Sequence, residues 1–197
     1  MPHVNLPRQC IGEQRDTGVT RSMLLRGGAV AAAGVLRPAG AARAALPAPT
    51  PEGDDVGYVQ FAAIAESVSA AYWKRAGDAA AAKRKTAVVA KLIAALGADA
   101  PQSDDFVIDL PRKLTPAVGV RIETMLVRTL VGALASTADG STRLLLARVL
   151  STDSQQLTIA RAAAKLPPVT GLPVPFDLDA AGDELDTFIK APNYPTS

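Results

Sequence analysis

Histidine and cysteine are almost absent from this 197-residue chain, which has one of each, His3 and Cys10. Both lie before residue 45, so the rest of the chain contains neither. A single cysteine excludes an intramolecular disulfide. Beyond residue 45 no Ser–His or Cys–His nucleophile pair can form, and a metal site there would have to use oxygen ligands.

Aromatic residues are also scarce, at 4% of the chain, although hydrophobic residues make up 48%. Much of the hydrophobic fraction is alanine and leucine, which favour helices, whereas sheets are rich in aromatic and β-branched residues. The composition therefore predicts an all-α domain.

Clustered positive charge is missing from the body of the chain. Six arginines against two acids give residues 1–44 a net charge of +4, and since the whole chain carries +2, the remainder carries −2. Nucleic-acid binding depends on clustered lysine and arginine. We therefore expect no nucleic-acid partner.

The first part of the chain, up to residue 45, has the layout of a signal peptide. Arg21 and Arg26 precede an apolar run over residues 27–36, and Ala42 and Ala44 mark a small-residue cleavage site. The apolar run is short of the roughly 20 residues that span a membrane. We expect an exported protein, located in the periplasm, the cell envelope or the medium, that meets the membrane only through this signal.

The stretch TRSMLLR, residues 20–26, resembles the twin-arginine export motif. Two arginines stand together in that motif, whereas Ser22 follows Arg21 here, so the general export route stays an alternative. A membrane-tethered interaction module that keeps its N-terminal helix is another. Cleavage would leave a proline-rich spacer at residues 46–53 ahead of the body.

The body, residues 54–190, contains four long patterns in which apolar residues recur at spacings of three and four, as in helices that share a core. The predicted helices run from Asp54 to about Ala76, from Ala79 to Leu96, from about Thr115 to Ser136, and from about Ser141 to Lys165. Prolines and acids predict a long loop over residues 98–114. A short closing helix is expected from Asp179 to Lys190, before a tail at 191–197.

Charged and polar side chains interrupt the apolar faces of these helices. Each of the first, third and fourth carries an acid at a core-facing position, and the second carries a lysine; they are Glu66, Glu123, Asp153 and Lys85. Gln156 follows Asp153 by three residues, which places both on one helix face.

With these positions the body resembles the ferritin-like domain of exported bacterial proteins, four-helix bundles whose parent superfamily binds two metal ions. Glu66 and Tyr72 in AIAESVSAAYW match its opening helix, and Glu123 in VRIETMLVRTL matches its third. DSQQ, residues 153–156, stands at its Glu-x-x-His motif, and PFDL, residues 175–178, at its tail. The resemblance implies a ferritin-like four-helix bundle with a long crossover loop between helices 2 and 3.

Several metal ligands of that family are replaced here. Lys85 and Val88 stand where its second helix has Glu and His, and Asp153 and Gln156 replace the Glu and His of its fourth helix. Of six ligands the resemblance leaves three carboxylates, Glu66, Glu123 and Asp153. Iron or manganese in such a bundle is held by carboxylates together with imidazole, and the body has no imidazole.

We therefore expect a buried charge network in which the Lys85 ammonium replaces part of the lost metal charge, Val88 fills the place of a histidine, and Gln156 hydrogen-bonds into the network. An alternative leaves Lys85 on the surface and each acid separately solvated. A second alternative is a site for Mn, Fe, Mg or Ca built from carboxylates and the Gln156 amide.

The function expected from these residues is a non-catalytic binding or structural role in the cell envelope, without a cofactor and more as a binding protein than as an enzyme. The partner would be an unknown envelope or secreted molecule, or further copies of the chain. The second function to consider is a carboxylate-only protein that binds a divalent metal ion, with weak oxidase or storage activity.

Overall fold

The structure is a computed structural model that describes residues 48–102, 104–168, 171 and 173–192. This part of the chain is mostly helical, which confirms the all-α prediction at the level of fold class. Its α-helices are α1 Asp54–Arg75, α2 Ala79–Leu96, α3 Pro116–Ser136, α4 Gly140–Ala163 and α5 Leu178–Leu185. The signal peptide expected over residues 1–45 lies outside the described residues.

Helix boundaries follow from capping residues. The side chains of Asp78 and Asp139 accept hydrogen bonds from the first-turn N–H groups of α2 and α4, which is the usual role of aspartate at this position. Pro116 opens α3, where the missing N–H costs nothing. Gly97 ends α2 with φ 57°, a backbone conformation that glycine adopts without strain.

The four long helices pack as pairs. α1 packs against α2 and α3, and α3 packs against α4. α1 and α3 run antiparallel: Asp55, at the start of α1, accepts hydrogen bonds from the N–H groups of Ala138 and Asp139 just beyond α3, and the Tyr72 hydroxyl donates to the Thr115 carbonyl just before it. No helix of the described residues has the length and apolar character needed to cross a membrane.

Two apolar clusters fill the interior. One gathers side chains such as Tyr72, Ile122 and Leu126, and the other gathers Val59, Leu130 and others. Along α2 and α4, the first cluster contributes Ala81 and Ala160 and the second contributes Val88 and Val149. The residues that lie between Ala81 and Val88 on α2, and between Val149 and Ala160 on α4, and that face the core therefore have an apolar cluster on each side of them along the helix.

The segment between α2 and α3 contains the short 3₁₀ helix Gly97–Asp99 and the strand β1 Val107–Ile108. Its start is fixed near the beginning of α1, where the Gln60 amide donates to the Asp99 carbonyl at 2.7 Å. Its end is fixed near the end of α1, where the Arg75 guanidinium donates to the carbonyls of Pro111 and Arg112.

The closing helix is shorter than predicted. α5 ends at Leu185 instead of Lys190, because Ile189–Lys190 forms a strand, β2, that pairs antiparallel with β1. Two strands of two residues each are too short to leave a periodic pattern in the sequence. Before α5, the chain docks on α3: the Phe176 N–H donates to the Arg128 carbonyl at 3.1 Å, and the Arg128 guanidinium lies 3.5 Å from the Phe176 ring centre.

Candidate functional site: a buried ion-pair cluster

The Lys85 ammonium nitrogen lies among three carboxylates, one from each of the other long helices. Lys85 Nζ is 3.1 Å from Glu66 Oε2 on α1, 2.9 Å from Glu123 Oε2 on α3 and 2.6 Å from Asp153 Oδ1 on α4. All four side chains have 0% relative exposure. We call these residues the ion-pair cluster.

The helices bring these side chains together because each residue occupies a core-facing position. Lys85 lies one turn from Ala81 on one side and from Val88 on the other, and both of those residues are buried in the apolar clusters. Asp153 follows the buried Val149 by four residues. The cluster is thus a charged layer between two apolar layers of the same interior.

Glu123 is the best satisfied of the three acids. Its Oε1 accepts hydrogen bonds from Ser69 Oγ at 2.6 Å and from the Trp73 indole N–H at 2.7 Å, and its Oε2 accepts one from Lys85 at 2.9 Å. Donors from both α1 and α2 therefore hold the Glu123 carboxyl group in place.

Glu66 has the opposite environment. No donor in the described residues makes a hydrogen bond of good geometry to either of its oxygens, although Oε2 is within ion-pair distance of Lys85. Burial, followed by the charge of Asp153, raises the pKa of Glu66 well above its ordinary value. The buried site therefore favours the neutral form of the Glu66 carboxyl group more than water does.

Asp153 has one oxygen with a donor and one without. Its Oδ1 accepts a hydrogen bond from Lys85 at 2.6 Å, and its Oδ2 is buried without a donor among the described residues. Burial raises the pKa of Asp153, while Lys85 lowers it and Glu123 raises it further. Asp153 Oδ2 is thus a buried acceptor whose desolvation is not offset by a hydrogen bond.

Lys85 stays charged in this setting. Burial by itself lowers the pKa of Lys85, but the charges of Asp153, Glu66 and Glu123 outweigh it, and the pKa lies above its ordinary value. The cluster therefore sets one cation against three carboxyl groups, and the pKa values of two of them, Glu66 and Asp153, are raised.

The Lys85 ammonium group occupies the position between the carboxylates that a metal ion would take. Among the described residues, no group of three or more His, Cys, Asp or Glu side chains is arranged to hold a metal ion. The donor set therefore does not fit a resident metal ion, because Lys85 already neutralises the oxygens that would bind it. Val88, at 9% exposure, packs with the apolar side chains of its cluster.

Gln156 has a different hydrogen-bond partner from the one expected. It is buried, as its position beside Asp153 on α4 implies, but it does not hydrogen-bond into the ion-pair cluster. With its amide oriented to suit its surroundings, the Gln156 oxygen accepts from Arg84 Nη2 at 2.9 Å and from Arg84 Nε at 3.3 Å. The expectation of a hydrogen bond to the carboxylates is therefore wrong, because the guanidinium of the residue next to Lys85 is the stronger competing donor.

Tyr72 is also separate from the cluster. Its hydroxyl donates to the Thr115 carbonyl at 3.2 Å, and its ring packs edge-on against Trp73 with 5.2 Å between ring centres. Burial raises the pKa of the Tyr72 hydroxyl, which remains protonated at neutral pH. Tyr72 therefore packs and hydrogen-bonds at the junction of α1 and α3.

Sequence reasoning missed the two donors that fix Glu123. Ser69 and Trp73 follow Glu66 on α1 by three and seven residues, which is the repeat of a single helix face. A polar side chain and an indole N–H on the same face as a buried acid are the signal that could have identified them.

Comparison with protein-family models, with curated proteins and with solved structures finds no significant match for this chain. The geometry of the ion-pair cluster is therefore the basis on which a function is proposed.

Proposed function

We propose that this chain is an exported ferritin-like four-helix-bundle protein in which the Lys85 ion-pair cluster stands in place of a dimetal centre. Its role is that of a non-catalytic binding or structural protein of the cell envelope. The single observation that carries the proposal is the position of Lys85 Nζ, within 3.1 Å of a carboxylate from each of the other three long helices.

The position of the cluster supports the ferritin-like class. Dimetal proteins of that class gather carboxylates from four helices at the middle of the bundle. Glu66, Glu123 and Asp153 meet at the middle of this interior, and a cation lies between them. Here that cation is an ammonium group covalently attached to α2.

The path of the segment between α2 and α3 supports a crossover connection. Its hydrogen bonds to Gln60 and Arg75 lie near opposite ends of α1, so the segment travels along the length of that helix. A connection of this kind allows α2 and α3 to run in the same direction, as helices 2 and 3 of a ferritin-like bundle do.

Burial supports the non-catalytic role. A group that acts on a substrate must reach it, and the four charged side chains of the cluster have 0% exposure. The surface pockets of the described residues are lined by other side chains. We assign the cluster to holding the four helices together, and the surface to binding a partner.

Elemental analysis of the protein tests the proposal. The full chain is expressed in a bacterial host with iron and manganese in the medium, and the protein is purified from the exported fraction without chelators. We expect far less than one metal ion per chain and an N-terminus that begins near residue 45. One or two tightly held ions per chain would show a working metal centre, and protein found only in the cytoplasm with an intact N-terminus would disprove export.

A further inference from the structure

We propose that a cavity between α1, α2 and the segment that joins α2 to α3 is a binding site for a small, uncharged hydrocarbon molecule of the kind that a long-chain alcohol represents. We call it the apolar cavity. Its volume is about 590 Å³, within the range of roughly 300–1,000 Å³ in which protein pockets hold small organic ligands. The inference rests on this cavity and needs neither the ferritin-like class nor export.

Three elements form the walls of the apolar cavity. α1 contributes Ala63 and Ser67, and α2 contributes Val89 and Ile93. The third wall is made by residues 101, 102 and 106–108 of the segment after α2. Because these residues are distant in sequence, the cavity exists only where the chain has folded.

Several apolar side chains face this cavity and not the core. Val89 and Phe106 are only partly buried, and they are not among the side chains that pack into the two apolar clusters of the interior. Ile93 and Val107 are 40% and 50% exposed. Covering such side chains with an apolar molecule removes their surface from water, which is favourable. They therefore provide the contact surface for a hydrocarbon ligand.

The polar groups of the lining residues already have partners within the protein. The Ser67 hydroxyl donates to the Ala63 carbonyl at 2.8 Å, and the Gln102 side-chain amide donates to the Ala100 carbonyl at 3.0 Å. Among the residues that the structure describes, none with a charged side chain lines the cavity. A charged group of a ligand would be desolvated there without a counter-charge, which is costly. The lining therefore favours an uncharged ligand.

The charges at the edge of the cavity are negative. Asp104 and Asp105 are exposed and lie in the sequence between the lining residues Gln102 and Phe106. The Gln102 backbone N–H donates to Asp105 Oδ2 at 2.7 Å, which holds a carboxylate beside the lining. Like charges repel one another. A ligand with an anionic head group, such as a fatty acid, is therefore disfavoured relative to an alcohol of the same chain length.

Hydrogen bonds on both sides of the lining residues fix the third wall. Before them, the Gln60 side chain donates to the Asp99 carbonyl at 2.7 Å. After them, the Asp109 N–H donates to the Phe188 carbonyl at 2.7 Å, next to the pairing of β1 with β2. A ligand therefore does not have to assemble the walls, and a preformed site loses less conformational freedom on binding.

The exposed apolar surface at the cavity is too small for a protein partner. Of the apolar side chains that line it in the described part of the chain, only Ile93 and Val107 are large and exposed. A stable protein interface covers about 800 Å² and roughly 20–30 residues on each partner. The occupant therefore enters the cavity and does not merely cover it.

Displacement of a fluorescent dye tests this inference. The full chain is titrated with Nile red, an uncharged apolar dye whose fluorescence rises in dry surroundings, and the bound dye is then displaced with decanol. We expect saturable binding of one dye molecule per chain and complete displacement. Binding that does not saturate, or bound dye that decanol does not displace, would overturn the inference.

Decanoate tests the class of ligand, because it adds a negative charge to a chain of the same length. It should displace the dye at least about tenfold less effectively than decanol. Equal displacement by the two compounds would rule out a site for uncharged molecules.

A pair of isoleucine variants locates the bound dye. Ile93→Asp places a charge on the wall of the cavity and should weaken dye binding at least about tenfold. Ile159→Asp is the matched control, because Ile159 is 44% exposed on α4 and does not line the cavity. It should leave dye binding unchanged. Unchanged binding in Ile93→Asp, or an equal loss in both variants, would place the dye elsewhere and overturn the inference.

Val107→Asp repeats the test on the opposite wall, where Val107 is 50% exposed. It keeps the inference testable if Ile93→Asp has a lower melting temperature than the wild type. Sedimentation velocity at the same protein concentration tests for a second copy of the chain. A dimer that Ile93→Asp dissociates would show that the cavity is an interface between copies and not a ligand site.

The dye measurement and the metal analysis fail independently. A metal-free exported chain that does not bind the dye would disprove only the ligand site. A chain that binds the dye and also holds one or two metal ions would disprove only the proposed function.

Discussion

Lys85 Nζ and Asp153 Oδ1 lie 2.6 Å apart at the centre of the described interior, with both side chains fully enclosed. The pair links α2 to α4 inside the protein, next to the contact between Arg84 and Gln156 on the same two helices. Several measurable properties of the protein should depend on it.

Replacing Lys85 with alanine should destabilise the protein strongly. The Lys85→Ala variant leaves Glu123 and Asp153 buried without a cation, and removing one partner of a buried ion pair typically costs about 3–5 kcal/mol. The free energy of unfolding from urea titrations followed by circular dichroism measures the change. Lys83→Ala is the matched control, because Lys83 lies at an exposed position two residues before Lys85 on the same helix. It should change the free energy of unfolding by less than about 0.5 kcal/mol. Equal effects of the two variants would contradict a buried role for Lys85.

The raised pKa of Glu66 predicts a pH effect on stability. The pKa of Glu66 is raised above its ordinary value of 4.5, so above that pH the unfolded chain binds fewer protons at this residue than the folded one. Its contribution to stability is then fully present below pH 4.5 and is lost as pH rises toward the folded pKa, by up to about 1.4 kcal/mol per pH unit.

Glu66→Gln isolates this effect, because glutamine is close in shape and does not titrate. The unfolding free energy of the wild type minus that of Glu66→Gln should fall as the pH rises above about 5, as measured by urea titration at several pH values. Parallel curves for the two proteins would show that Glu66 is ionised in the folded state.

The side chains that donate hydrogen bonds to Glu123 should contribute more to stability than nearby side chains that do not. Ser69→Ala removes a 2.6 Å hydrogen bond to a buried carboxylate, and hydrogen bonds to charged groups contribute about 1.5–3 kcal/mol. Ser67 is the control, since its hydroxyl donates only to the Ala63 carbonyl of its own helix. Trp73 is the single tryptophan of the chain and also donates to Glu123, so its fluorescence reports on the same site. A Ser69→Ala variant no less stable than Ser67→Ala would contradict the assignment.

Gly132 should be sensitive to the smallest substitution. A Cβ at this position on α3 would clash with the backbone carbonyl oxygen of Phe176, which cannot move without undocking the segment that precedes α5. We expect Gly132→Ala to cost about 1–3 kcal/mol, as overpacking does, and to make residues 173–177 more susceptible to limited proteolysis. Gly140→Ala, with open space around the added carbon, should leave both properties unchanged; protection of that segment in Gly132→Ala would show that the contact is not required.

The long helices could be predicted from the sequence because their apolar residues repeat over five or more turns. The end of α1 was predicted at about Ala76 and lies at Arg75, and the start of α3 was predicted at about Thr115 and lies at Pro116. The same periodicity placed Glu66 and Lys85 on core-facing positions. In a long helix a few residues that break the apolar pattern do not hide it, and capping residues mark where the helix begins and ends.

Short and non-local features could not be predicted in this way. β1 and β2 contain two residues each and lie about 80 positions apart, so no periodic pattern marks either of them. Whether Gln156 hydrogen-bonds to the carboxylates or to Arg84 depends on how α4 is rotated about its axis relative to α2. The periodicity of a single helix does not predict that rotation. The raised pKa of Glu66 depends on where the donors around all three acids lie, and Ser69 and Trp73 both donate to Glu123.

The response of wild-type stability to metal ions tests the central claim most directly, because an ion that binds the folded chain stabilises it by about 2.7 kcal/mol at 100 times its dissociation constant. The purified, chelator-treated chain is titrated with Mn²⁺, and with Fe²⁺ in the absence of oxygen, while its melting temperature is recorded. An ammonium group already placed among Glu66, Glu123 and Asp153 predicts a melting temperature that stays constant through millimolar metal. A saturable rise in the wild type that Glu123→Gln abolishes would show that a metal ion, and not Lys85, is the cation of this site.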